Sequence, residues 1–230
     1  MTKIKPPSVA GKFYTDNKDE LLSLLETFAK NHLRDYDCSS RAVIVPHAGY
    51  YYSGQLANNG IQYLGRTAKN VFIIAPTHNL PFEGLALSNF DKWSTPIGVI
   101  EVNQDINQDL IESFDYCNYL DEAFQSEHSA EVQVPFIQKM FPNASIVPIL
   151  VGNIKFEKIT KILNYSWANP DNVFVISSDL SHFHSSADAR KIDKITATMI
   201  ETGNFEGFTS EQACGAVGVL GLAEFAKEKQ

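Results

Sequence analysis

Arg41-Ala42-Val43-Ile44-Val45-Pro46-His47-Ala48-Gly49-Tyr50, followed by residues 53–64 and then by Val71-Phe72-Ile73-Ile74-Ala75-Pro76-Thr77-His78, reads as strand, helix and strand. The two apolar runs are short, rich in β-branched residues and uninterrupted by polar positions, which marks strands buried on both faces. A proline closes each run, stops the strand and fixes the loop behind it. Such a unit belongs to a largely parallel sheet covered by helices.

The rest of the chain extends the same alternation. Leu21, Leu24, Leu25 and Phe28 recur at helical spacing after Thr15-Asp16 and predict an amphipathic helix. Residues 84–88 and 98–102 flank the turn-rich stretch 89–96 and predict a hairpin, and residues 107–113 a helix. Residues 129–140 read as a helix despite Pro135. Residues 145–151 read as a strand, whose Pro148 suggests a sheet edge or a bulge. A helix over 155–165, a strand over 172–177 and helices over 187–201 and 215–227 follow. The expected architecture is α/β: one domain over residues 1–230, with a mostly parallel or mixed central sheet and helices on both faces.

Composition narrows the function. The 230 residues are 44% hydrophobic, enough for a substantial core, and carry no repeat or low-complexity tract. Acidic residues outnumber basic ones 27 to 19, and the net charge of -8 argues against a nucleic-acid partner. No apolar run approaches the length of a membrane span. The start, Met1-Thr2-Lys3-Ile4-Lys5-Pro6-Pro7, has no apolar segment behind its lysines, so a cytoplasmic location is expected. Cys38, Cys117 and Cys214 form no paired framework and are expected to be thiols. Cys38 and Cys117 sit in polar, turn-like surroundings and read as incidental. His32 reads as a solvated residue of the first helix, and His184 as a surface residue.

In open α/β sheets the ligand crevice lies beyond the carboxyl ends of the strands. Three predicted strands run out there into Pro46-His47, Pro76-Thr77-His78 and Ser177-Ser178-Asp179-Leu180-Ser181-His182. Each delivers a histidine to one edge. His128, in Glu127-His128-Ser129, adds a fourth, and imidazole is the commonest protein ligand for zinc, copper, iron and nickel. A shared metal site is the economical reading. Glu127-His128-Ser129 with Glu131 also reads as a helix start with an acidic first turn, capped by Ser126 or Ser129. Tyr50, Tyr51, Tyr52 and Trp93 are candidates for cavity wall or core.

Pro46-His47-Ala48-Gly49-Tyr50 with Tyr52-Ser53-Gly54, Glu127-His128-Ser129 with Glu131 and Gln133, and Ser177-Ser178-Asp179-Leu180-Ser181-His182 together resemble the Memo family, which includes AmmeMemoRadiSam system protein B. The resemblance runs from Pro6 and Phe13-Tyr14 to Cys214-Gly215. It implies a fold like that of the class III extradiol dioxygenases, which hold non-haem iron with two histidines and a carboxylate. It also implies that a cysteine replaces the carboxylate, with His47, His78 and Cys214 as metal ligands and His182 as acid/base or fourth contact. Asp179 and His128 would line or support the pocket, and Gly215 would open a helix toward the thiolate. Leu180 and Phe183 depart mildly from the family pattern. Family members usually continue through a further strand beyond the position of Gln230, so a shortened edge, a wider pocket or an oligomer contact covering the gap is expected.

A thiolate is a soft donor that suits iron, copper or zinc and disfavours magnesium or calcium. Three functions follow as expectations: a metal-dependent oxidoreductase acting on a small molecule or O₂, a protein that buffers or delivers iron or copper, and a non-enzymatic module whose cleft receives a peptide, metabolite or partner protein. None of them needs a nucleotide cofactor.

Overall fold

Leu21, Leu25 and Phe28 are buried along one face of the first helix, and that helix begins where Asn17 offers its side-chain oxygen to the amides of Asp19 and Glu20. The computed structural model describes residues 2–32 and 40–229. In chain order it contains β1 (Ile4–Lys5), α1 (Lys18–Lys30), β2 (Ala42–Val45), a π-helical turn (Tyr50–Gly54) running into α2 (Gln55–Ile61), and β3 (Asn70–Pro76). Then come β4 (Leu85–Leu87), β5 (Lys92–Thr95), β6 (Gly98–Glu101), α3 (Gln104–Ser113), β7 (Cys117–Tyr119) and α4 (Asp121–Phe124). A 3₁₀ turn (Glu131–Gln133) leads into α5 (Val134–Met140), followed by β8 (Ser145–Val151), α6 (Phe156–Ser166), β9 (Asn172–Ser177), α7 (Ser186–Thr202) and α8 (Ala216–Glu228).

Six strands form a mixed sheet in the order β2-β9-β3-β8-β4-β7. The pairs β2-β9, β9-β3, β3-β8 and β4-β7 are parallel, and β8-β4 is antiparallel. The alternation of β3 shows why both faces need helices. Val71, Ile73 and Ala75 join a core with α1, α2 and α5, while Phe72 and Ile74 join a second core with α6 and α8. The unbroken apolar run from Val71 to Ala75 therefore faces two separate helix layers, as read from the sequence. The parallel ends of β2, β3 and β9 open onto one edge.

Several expectations need correction. Residues 84–88 do not pair with 98–102: β4 joins the main sheet, and the hairpin is made by β5 and β6 in a separate three-stranded sheet with β1. The turn-rich stretch 89–96 thus contains a strand. Strand β8 is interior, not an edge. Ile146 C=O accepts from the Asn103 amide, away from β3, so residue 148 directs its backbone to that same outer side. There β4 has already ended its pairing at Leu87 opposite Ile149, and no ladder bond is lost to the proline. The helix read over 129–140 starts later, with Pro135 tolerated in its first turn. Cys117 is buried in β7 rather than set in a polar turn. Cys38 lies outside the described residues. His32 falls beyond the end of α1 and is half-buried, with Nδ1 3.4 Å from Asn59 Oδ1.

Candidate metal centre

His47 stands two residues after β2 and is 1% exposed. Its amide and that of Ala48 donate to Asp179 Oδ1 at 2.7 and 3.2 Å, tying the loop after β2 to the loop after β9. Its ring Nδ1 lies 2.9 Å from Ser177 Oγ. Ser177 spends its one hydroxyl proton on the Ser129 carbonyl at 2.6 Å and accepts from Gln133 Nε2 at 3.0 Å. It therefore accepts from His47 Nδ1–H, which turns the other ring nitrogen, Nε2, toward Cys214.

His78, after β3, is held by Glu127 in the same sense. Its amide donates to Glu127 Oε2 at 2.5 Å, and its Nδ1 is 2.9 Å from Oε1. Glu127 also accepts from the amides of His128 and Ser129, each at 3.0 Å. Burial pushes this carboxyl upward, but the His78 side chain and the His78 and Ser129 amides outweigh it and hold it near 2. Glu127 is thus a buried, fixed anion beneath two histidines, a role that its reading as a helix-start residue missed. Ser129 does not cap a helix either; its hydroxyl donates to the Pro76 carbonyl at 2.6 Å.

His47, His78 and His128 converge: their ligand nitrogens all lie within 4.8 Å of one another. The His78 and His128 rings stack at 4.7 Å, and Phe13 backs His128 at 4.5 Å. Burial lowers His128 to about 4 against the opposing pull of Glu127, with His47 and His78 adding to the lowering. It stays neutral near pH 7, with a lone pair to offer.

Cys214 Sγ sits 3.2 Å from His47 Nε2 and accepts from the Asp179 amide at 3.3 Å. It immediately precedes Gly215, the N-cap of α8. Any larger residue at 215 would clash, since a Cβ there would lie 2.6 Å from Ser178 Cβ and 2.7 Å from the Ser177 carbonyl. That closeness presses the start of α8 and its cysteine against the end of β9. Asp179 is central: Oδ2 lies 3.9 Å from both His47 Nε2 and His182 Nε2, and His182 stands at the rim, 42% exposed. His184 is exposed, as expected.

The six residues singled out in the sequence thus meet at one edge of the sheet. Three aromatics offered as cavity wall do not reach it: Tyr50 is buried core stacked on Phe136, and Tyr51 and Tyr52 are exposed. Trp93 is buried within the hairpin, in β5, with its ring edge-on to Phe124.

Residues 5–220 match the family model described as Memo-like protein. The chain belongs to the Memo-like family. It is 31% identical over 208 residues to a MEMO1 family protein of Aquifex aeolicus, covering 89% of this chain and 77% of that one. It is 32% identical over 249 residues to the protein memo-1 homolog of Caenorhabditis elegans, covering 96% and 70%. A MEMO1 family protein of Methanobrevibacter smithii is 33% identical, over 86% and 76%.

The donor set of this Memo-like chain fits a transition metal. Two imidazoles have Nδ1 engaged by a fixed acceptor, His128 Nδ1 lies 3.2 Å from the same Glu127, and a thiol stands beside them. Ser177→Ala removes the acceptor that sets the His47 tautomer, so affinity for Co(II) is expected to fall roughly 10- to 100-fold, the usual cost of losing such a support. Competition with a chromophoric chelator checks this, and an affinity within twofold of wild type would refute the role. No helix of the described residues is long and apolar enough to cross a membrane.

Proposed function

We propose that this chain holds one iron or copper ion, with zinc also accepted, through His47, His78 and Cys214, and uses it for redox chemistry on a small molecule or O₂. The observation that carries the reading is the convergence of three imidazoles whose Nδ1 atoms face fixed acceptors, with Cys214 Sγ 3.2 Å from His47 Nε2. A bound iron or copper would supply electron transfer and polarisation of a coordinated oxygen.

The chain's own residues do the rest. Ser177 and Glu127 orient His47 and His78, and the soft thiolate of Cys214 selects late transition metals over magnesium or calcium. His128, kept neutral, is available as a further contact or as a hydrogen-bond acceptor. His182, exposed at the rim and linked to the centre through Asp179, is placed to take a proton from solvent and pass it inward at Nε2. The expected partner is a small molecule or a peptide end, not nucleic acid, and the expected site of action is the cytoplasm. A homo-oligomer is compatible with this reading.

The test is metal analysis of anaerobically purified full-length protein beside Cys214→Ser and His47→Ala. The expected result is close to one iron or copper per wild-type chain, with most of it lost in either variant. Metal-free wild type that also fails to take up Fe(II) or Cu(I) would overturn the reading in favour of a binding module. Oxygen uptake by the loaded protein separates redox chemistry from storage or delivery of the ion.

A further inference from the structure

A cavity of about 330 Å³ abuts the centre from the side of His78 and Cys214. Its walls are Leu80, Pro81, Phe82, Val151 and Val217, contributed by the loop after β3, the end of β8 and the first turn of α8. Leu80 and Pro81 are exposed and form an apolar lip. Among the described residues, no ionisable side chain other than His78 and Cys214 lines it. Its polar neighbours are already engaged: Thr77 Oγ1 donates to the Leu80 carbonyl at 2.8 Å, Asn153 Nδ2 to Glu83 at 2.8 Å, and Ser177 is bound on both sides.

A charged ligand would lose its hydration here and meet no counter-charge along the walls beyond His78 and Cys214, which pair with each other, whereas apolar surface is favoured. A dry cavity of roughly half this volume holds benzene, so this one has room for a substituted ring or a short alkyl chain. We infer that the chamber formed by Leu80, Phe82, Val151 and Val217 is the substrate pocket, and that the substrate is a small, uncharged, mainly hydrocarbon molecule presented to His78 and Cys214. The inference builds on the metal-centre reading for what happens to that molecule, but its binding stands apart from it.

The experiment titrates fluorobenzene into the full chain, metal-free and Co(II)-loaded, followed by ¹⁹F NMR. Saturable binding is expected in both forms, weakened at least tenfold in Val217→Trp, which fills the chamber, and in Leu80→Asp, which charges its lip. Val99→Trp, on the exposed face of β6, should leave it unchanged. 4-Fluorobenzoate and 4-fluorobenzylammonium should bind at least tenfold more weakly. Cobalt should accelerate relaxation of the bound fluorine. No saturable binding, binding in both chamber variants as tight as in wild type, a preference for either charged probe, or bound fluorine untouched by loaded cobalt would each overturn the inference. Failure of cobalt to load would count against the metal centre alone, with the metal-free titration still deciding the chamber.

Discussion

Glu131→Ala is expected to destabilise the fold by about 3–5 kcal/mol, the usual cost of stranding one partner of a buried ion pair. Glu131 is 1% exposed and Lys5 3% exposed, with Nζ and Oε2 2.7 Å apart. The carboxylate also accepts from the Ser8 amide at 2.8 Å, the Val9 amide at 3.0 Å and the Tyr14 hydroxyl at 2.9 Å. Removing it leaves a buried ammonium and three donors without their acceptor. For a chain of this size the melting temperature should fall by roughly 10 °C. Lys5→Met added to Glu131→Ala should recover part of the loss, because no stranded charge remains.

Acid should act in the same direction. Burial pushes Glu131 up, but Lys5 and the Val9 and Ser8 amides hold it below the ordinary carboxylate value. Its stabilisation is therefore complete above the unfolded value of about 4.3 and is lost as pH falls through the lower folded value, so wild type and variant should converge in acid. Calorimetry from pH 3 to 8 checks both. A melting temperature within 2 °C of wild type at pH 7 would show that the network contributes little. The consequence reaches the centre, because the segment anchored by Glu131 carries Phe13, which packs on His128 and whose carbonyl accepts from the Tyr50 amide at 2.7 Å.

The elements legible in the sequence were those with a single strong period. Uninterrupted runs such as those of β3 and β9 can satisfy their surroundings only between two helix layers, and the histidines after β2 and β3 and the Asp179–His182 motif after β9 inherit their position from the strand ends. What escaped was fixed by distant partners. The three-residue strands β4 and β7 have no period of their own and exist because they pair with β8 and with each other. Pro148 signals an edge locally, but the neighbour on its amide side stops one residue short. Glu127 and Ser177 look like a helix start and a strand end; their role depends on imidazoles that arrive from 49 and 130 residues away in the chain. His128 is one of the four histidines that the sequence offers to a shared metal site, while the resemblance gives it only a lining or supporting role; its ring nitrogen, within 4.8 Å of those of His47 and His78, keeps it among the possible ligands.

Metal-free Cys214 is expected to be alkylated by iodoacetamide with a midpoint near pH 5, over three units below an ordinary thiol at about 8.5. Burial alone would push the thiol up, but hydrogen bonds from His47 and His78, the charge of His47 and a hydrogen bond from His182 outweigh it. His78 moves the opposite way, to about 10, chiefly through its hydrogen bond to Cys214 and then through Glu127, against burial. The thiolate contributes fully above its unfolded value and is lost as pH falls through about 5; the imidazolium contributes fully below about 6.5 and is lost as pH rises through about 10. Between those limits the pair is ionised in the metal-free chain, so Cys214 would offer a thiolate already formed and His78 would have to give up a proton before it could hold a metal. At pH 6 such a thiol is about 90% ionised against about 0.3% for an ordinary one, though the lower basicity cuts its intrinsic reactivity, so the midpoint rather than the rate is the measure. The experiment uses a Cys38→Ser background and mass spectrometry from pH 4 to 9. Cys117 should stay unlabelled, since burial and then Asp115 push it to about 12. His78→Ala should raise the Cys214 midpoint by a unit or more, and bound Co(II) should protect it. A midpoint above pH 8 in the metal-free chain would mean that the imidazoles do not hold a thiolate, and that the metal itself must ionise Cys214 on entry.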